Sequence, residues 1–271
     1  MEFAGKVAVI TGAASGIGRA VAIAMAQRDA RAVALVDMGA NIDAVAAELN
    51  AEAGRQVAYP FRGDTTDEAF RSSVFDSISS KFGTVAMCVP AAGITRDDLA
   101  VRIDKETGKA RIYPVDRFRQ VVDVNLVAPV YWSLEMIGRI AEDRAARGLK
   151  RWQPSEGMKG AIVFIGSVSS QGNRGQLSYA STKAGLEGAA ATIMKEAIFY
   201  GVRCSVIHPG FTDTSMVRAM GDDYINKHIL PFTQLGRLIR PDEIADAICF
   251  MLTNSAVSGE LWADAGWHPP A

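Results

Sequence analysis

Short apolar runs alternate along this chain with longer stretches in which apolar residues return every three or four positions. The runs Val7–Thr11, Ala32–Val36, Val57–Tyr59, Val85–Val89, Ala161–Ile165, Val202–Ile207 and Leu261–Ala263 are strand candidates. Most are apolar throughout, which predicts strands covered on both faces. Helices are predicted near 17–29, 41–53, 67–82, 115–147, 179–200 and 241–253. Pro241-Asp242-Glu243 opens the last with a proline at the first turn and acids at the positive pole. Strictly alternating β and α elements predict an α/β fold, a doubly wound parallel sheet with helices on both sides. No boundary interrupts it, so residues 1–271 are expected to form one domain.

Two stretches break the rhythm. Residues 94–114 are polar, with a turn expected at Thr107-Gly108-Lys109 and a small hairpin around it. Residues 144–160 are basic and read as a solvated surface loop after a helix end. Charge adds little: 29 Lys and Arg nearly cancel 30 Asp and Glu, so neither nucleic acid nor an anionic membrane is an expected partner. No apolar stretch reaches membrane-spanning length. No secretory leader is evident, and the cytoplasm is the expected compartment. Cys88, Cys204 and Cys249 lie far apart in apolar surroundings, without metal or redox spacing. They read as core residues in a reducing environment, and no metal is expected.

The first strand runs into Thr11-Gly12-Ala13-Ala14-Ser15-Gly16-Ile17-Gly18 and a helix follows. Glycines there let the backbone turn tightly and approach a pyrophosphate, whose charge meets the helix N-terminus. The second strand ends in Leu35-Val36-Asp37. An acid at that point can accept hydrogen bonds from both adenosine ribose hydroxyls and repels a 2′-phosphate. Neighbours Ser15 and Met38 offer no offsetting positive charge, so NAD is expected rather than NADP.

The fifth strand ends near Ser167, and Tyr179-Ala180-Ser181-Thr182-Lys183 follows at the start of a helix. Positions i and i+4 share a helix face, so Tyr179 and Lys183 can point into one cleft. Ketone reduction needs a proton donor on the oxygen, and alcohol oxidation needs the reverse. A free tyrosine, with a pKa of about 10, is a poor base near neutrality. An ammonium beside it favours the phenolate.

The spacing T-G-x-x-x-G-x-G, together with Ser167, Tyr179 and Lys183, resembles the short-chain dehydrogenase/reductase family. The resemblance implies a single-domain Rossmann fold and hydride transfer between a nicotinamide cofactor and a secondary alcohol or its ketone. It assigns Ser167 to the substrate oxygen, Tyr179 to acid/base work and Lys183 to the nicotinamide ribose as well. Asn125 matches the helix asparagine that holds a water linking Lys183 to solvent. The cofactor is expected against Gly12, Ser15, Gly16, Ile17, Gly18, Asp37 and Met38. Further contacts are expected from Asp64 and Thr65, then Ala91, Ala92 and Gly93, then Tyr179 and Lys183. After the sixth strand, Pro209, Gly210, Thr212 and Thr214 complete the set by orienting the carboxamide. The family's usual Asn-Asn-Ala-Gly is here Pro90-Ala91-Ala92-Gly93, which removes two side-chain hydrogen bonds. His208 beside Pro209 reads as structural rather than catalytic.

Residues 211–236 include Met216, Met220, Tyr224, Ile229 and Phe232, and are expected to form a substrate lid. The run from Ala92 to Leu99 resembles 3-oxoacyl carrier-protein reductases. The extension from Lys105 to Leu126 resembles type-2 3-hydroxyacyl-CoA dehydrogenases, which use NAD. A 3-hydroxyacyl or 3-oxoacyl thioester is therefore the leading substrate class, against a cyclic alcohol, a polyol or a steroid. Halide release and a non-catalytic, dinucleotide-sensing role are the other readings; the retained reacting residues argue against both. Family members commonly assemble through the helices near 115–147 and 179–200, so a homotetramer is expected.

Overall fold

The computed structural model describes residues 1–267; the remaining four, which close the expected 1–271 domain, lie outside the described residues. Seven parallel strands form one sheet in the order β3-β2-β1-β4-β7-β8-β9. They are β1 (Val7–Thr11), β2 (Ala32–Asp37), β3 (Ala58–Arg62), β4 (Val85–Pro90), β7 (Gly160–Ile165), β8 (Val202–Pro209) and β9 (Gly259–Ala263). Chain order reverses between β1 and β4, which leaves a crevice at the C-terminal ends of those strands. The strand candidate Val57–Tyr59 falls one residue early and stops short, and the last strand begins two residues before Leu261.

Each face of the sheet carries its own core, because alternate residues of apolar strands point to opposite sides. Ala8, Ile10, Val33 and Leu35 pack under α1 (Gly16–Gln27), α2 (Ile42–Ala53) and α9 (Pro241–Thr253). Val7, Val9, Ala34, Ile162 and Phe164 pack under α3 (Glu68–Phe82), α5 (Ala128–Ala146) and α6 (Leu177–Ala197). Burying one such side chain contributes on the order of 1.5–3 kcal/mol, so apolar strands covered twice hold the sheet rigid. Buried Arg203 on β8 donates to the carbonyls of Leu252 at 2.7 Å and Met251 at 3.1 Å, capping the C-terminal end of α9.

Three departures from the sequence reading have physical causes. The helix expected over 115–147 is α4 (Val115–Val122), a π-helical turn at Asp123–Val127, and then α5. An inserted residue of this kind leaves no mark on apolar periodicity. The basic stretch 144–160 begins inside α5 and is braced. Buried Arg144 forks onto Glu156 at 2.6 and 3.2 Å and donates to the Lys150 carbonyl at 2.8 Å. The helix expected at 179–200 starts earlier, at Leu177, and closes in a 3-10 turn at Ile198–Tyr200. The hairpin is present as β5 (Val101–Ile103) and β6 (Ala110–Ile112), with Asp104 accepting from the Thr107 and Glu106 amides in its turn. Between β8 and α9 the chain makes two short helices, α7 (Ser215–Arg218) and α8 (Asp222–His228).

Candidate active site

The crevice is built first from backbone. Gly12 sits at φ +67°, and a Cβ there would fall 2.8 Å from the Ala92 nitrogen and 2.9 Å from Ala91. A Cβ on Gly18 would fall 2.3 Å from the Gly12 carbonyl oxygen. Only glycines let β4, the turn and α1 approach so closely. Ser15 caps α1 in extended conformation but gives its side chain to no cap bond, and no acid lies in that first turn. The free amides and the positive pole of α1 are left facing the crevice, which suits an anion such as a diphosphate.

A cleft of about 630 Å³ runs along this crevice. Gly12, Ser15, Gly16, Ile17 and Gly18 line one wall, and Ala91, Ala92 and Gly93 another. Asp37 and Met38 close one end, with Asp64 and Thr65 beside them, while Tyr179, Lys183 and Thr214 mark the other. Asp37 accepts from the Ala14 amide at 3.0 Å and from the Gly39 amide at 2.8 Å, one bond to each carboxylate oxygen. Asp64 turns back on itself, accepting from the amide and hydroxyl of Thr66 at 2.9 and 2.8 Å. Thr65 is buried and its carbonyl accepts from Trp132 at 2.9 Å. Arg62 lies opposite Asp37 in the β2–β3 register and donates to the Met38 carbonyl at 3.3 Å. The sequence reading passed over this cation, since only the register of two strands brings it beside Asp37.

Pro90 and Ala91 fit where asparagines are more usual. The Ala91 amide donates to Thr11 on β1 at 3.2 Å, so the preceding nitrogen, in Pro90, faces the β7 side. Pairing of β4 with β7 covers only Met87 and Cys88, so a missing N–H at position 90 breaks no ladder bond. The Ala92 amide is then satisfied by the Thr11 hydroxyl at 3.1 Å.

At the reacting end, Ser167 follows β7 and its hydroxyl accepts from the Ser169 amide at 3.1 Å. Tyr179 lies in the first turn of α6 and Lys183 one turn later. The Lys183 Nζ donates to the Ile165 carbonyl at 2.7 Å and stands 5.4 Å from the centre of the Tyr179 ring. Burial lowers the Lys183 ammonium to a pKa of about 8. Burial pushes the Tyr179 phenol above its ordinary value; a hydrogen bond with Ser167 opposes that and the charge of Asp97 adds to it. Asn125 is fully buried. Its amide is clamped to Ile94, donating to the carbonyl at 2.8 Å and accepting from the nitrogen at 2.9 Å. Those bonds hold the chain after Gly93 against the π-helical turn.

A second cavity, of about 300 Å³, adjoins the cleft, and Tyr179, Ile165, Ile17, Thr214 and Met216 belong to both walls. Ser167, Pro209, Gly210 and Thr212 line it on the sheet side, and Phe211, Met216 and Met220 on the other. Gly210 has no room for a side chain, since a Cβ would lie 2.6 Å from the Asp264 carbonyl. Thr214 caps α7. The polar floor was not foreseen. Gln176 donates to Asp97 at 2.9 Å and accepts from Ser169 at 2.8 Å. Asp97 was visible only as part of a resembling run, and Gln176 sits just before α6 in no chemical motif.

The model of the short chain dehydrogenase family matches residues 6–225. The 3-oxoacyl-[acyl-carrier-protein] reductase FabG of Escherichia coli is 33% identical over 263 residues, covering 96% of each chain. The reductase of that name from Thermotoga maritima is 31% identical over 264 residues, again with 96% of each covered. A crystal structure of a short-chain type dehydrogenase/reductase from Mycobacterium marinum overlays with a TM-score of 0.83 at 24% identity, covering 99% of this chain and 98% of that one. At that identity the last likeness is one of fold.

Proposed function

Since the chain belongs to the short-chain dehydrogenase family, we propose that it interconverts a secondary alcohol and a ketone with NAD, acting on a 3-hydroxyacyl or 3-oxoacyl thioester. The observation that carries the reading is the meeting of Ser167, Tyr179 and Lys183 where the two cavities join. The cleft walled by Gly12, Gly16, Gly18 and Gly93 would hold a nicotinamide dinucleotide, whose chemistry would be hydride transfer to or from the substrate carbon. Ser167 holds the substrate oxygen. Tyr179 donates its phenolic proton to that oxygen in reduction and recovers it in oxidation. Lys183, held by the Ile165 carbonyl, binds the nicotinamide ribose and lends positive charge to the phenolate. Asn125 keeps the wall around Ile94 in place. Pro209, Gly210, Thr212 and Thr214 orient the carboxamide.

Support for NAD comes from Asp37. Backbone amides already hold its two oxygens, and a fixed carboxylate at the ribose end disfavours a 2′-phosphate. Support for the thioester comes from the substrate printed in the names of the relatives and from the apolar wall of Phe211, Met216 and Met220. In this reading residues 211–236 serve as the lid of one domain. The exposed apolar side chains Tyr131 and Leu134 on α5 would be covered in a homotetramer. A second reading, a polyol or cyclic alcohol, draws on the polar floor of Asp97 and Gln176.

The test is a spectrophotometric screen with NADH and NADPH against acetoacetyl thioesters, cyclic ketones and sugar ketones. Turnover of the thioester with NADH is expected. Preference for a sugar ketone transfers the assignment to the second reading, and tight NADH binding without any turnover points to a dinucleotide sensor.

A further inference from the structure

Beside the backbone of Ser167, on the face of the sheet that α6 covers, an imidazole faces two carboxylates. His208 lies on β8, Glu260 on β9 and Glu187 on α6. In the β8–β9 register His208 stands opposite Trp262 and Val206 opposite Glu260, so all four side chains share the α6 face. His208 is 0% exposed, and its Nε2 finds no hydrogen-bond partner among the described residues. That nitrogen lies 3.3 Å from a Glu260 oxygen and 3.8 Å from a Glu187 oxygen. Glu187 is partly exposed and Glu260 exposed, so solvent reaches the group from the acids' side.

We propose that Glu187, His208 and Glu260 bind a divalent zinc ion. One imidazole and two carboxylates are a zinc donor set, with a fourth position left for water. Donors about 2.0–2.2 Å from a common tetrahedral ion stand roughly 3.3–3.6 Å apart, against 3.3 and 3.8 Å from the imidazole nitrogen to the two carboxylates here. The three donor atoms all lie within 4.8 Å of one another, so small rotations of the two glutamates close the site. Charge argues the same way: a neutral imidazole leaves two carboxylates uncompensated, and a divalent cation neutralises them. Calcium and magnesium, which prefer all-oxygen shells, match this set less well.

The rear of the ring meets the backbone of Ser167, which offers it both a donor and an acceptor. The His208 Nδ1 accepts from the Ser167 amide at 3.3 Å and also lies 3.2 Å from the Ser167 carbonyl oxygen and 3.5 Å from the Ser170 hydroxyl. Ligation through Nε2 places the ring proton on Nδ1, where the Ser167 carbonyl accepts it, the usual orienting bond of a metal-bound histidine. Trp262 stacks on the imidazole with centroids 4.2 Å apart and planes 13° from parallel, fixing its plane. The ion would thus be wired to the backbone of Ser167.

The experiment is isothermal titration of zinc chloride into the chelator-treated chain, with zinc X-ray absorption on the loaded protein. Expected are one zinc per chain with micromolar or tighter affinity, and a shell of one imidazole with oxygens and no sulfur. Glu187→Gln and Glu260→Gln, both at solvent-accessible positions, should each weaken binding at least about tenfold. Absence of saturable binding overturns the proposal, and so does a sulfur-containing shell or an affinity that neither substitution changes. A His208 that merely hydrogen-bonds to Glu260 gives the first of these results.

Discussion

The glycine-walled cleft and the adjoining cavity meet at Tyr179, yet they are made of different material. In the cleft, position is set by backbone: Gly12 and Gly18 admit neighbours that a Cβ would displace, and amides of Ala14 and Gly39 aim Asp37. In the cavity, side chains from separate loops do the shaping, with Phe211, Met216 and Met220 over a floor of Asp97 and Gln176. A backbone site resting on a rigid sheet tolerates little change but serves any chain of this fold. A side-chain site on a loop between β8 and α9 can be altered without disturbing the sheet. In the proposed function, the common chemistry and the particular substrate are therefore carried by different parts of the molecule.

Substitutions can break that division or sharpen it. Tyr179→Phe belongs to the shared chemistry, and kcat should fall by about 10²–10⁴-fold while NADH, titrated by fluorescence, binds within a few-fold of the parent. Turnover near the parental rate would remove Tyr179 from proton transfer. Gly18→Ala attacks the backbone site alone. Its Cβ, 2.3 Å from the Gly12 oxygen, should cost about 1–3 kcal/mol of stability and weaken NADH binding by roughly tenfold or more. Thermal melts and the same titration check both effects, and an undisturbed variant would show that the turn is not held by backbone contact.

Asp37→Ala should narrow the preference for NAD over NADP by about tenfold. The gain for NADP should depend on Arg62, which the β2–β3 register places beside the vacated carboxylate. Adding Arg62→Ala should reverse it in kcat/KM ratios, and a gain that survives the second substitution would place the phosphate elsewhere. The smallest effect is expected from Met220→Ala. It should shift relative KM values between long and short acyl thioesters a few-fold with NADH affinity unchanged. A changed NADH affinity would mean that the two sites are not separable in this way.

Much of the scaffold is legible in the chain because its signals are local. Runs such as Val7–Ile10 and Ala161–Ile165 are apolar at every position because helices cover both faces, and that needs no knowledge of partners. Glycine spacing in the first turn is equally local, since positive φ and close approach are demands on single residues. Tyr179 and Lys183 are legible as a pair because one helix turn brings them together. Arg144 in the basic stretch was misread as solvated, because its partner Glu156 becomes a neighbour only when the loop folds back. The π-helical turn that carries Asn125 inserts into a helix whose apolar period runs on regardless, so its clamp on Ile94 could not be anticipated.

Local grammar, then, was enough for the order of strands and helices along the chain, the turn that must be glycine, and the helix face shared by a phenol and an amine. Which residues from distant segments face one another was decided by packing alone: Asp97 with Gln176, Arg62 with Asp37, His208 with two glutamates. The reason is physical. Backbone conformation answers to neighbours within a few residues, whereas an encounter between remote side chains exists only once the sheet has set their strands side by side.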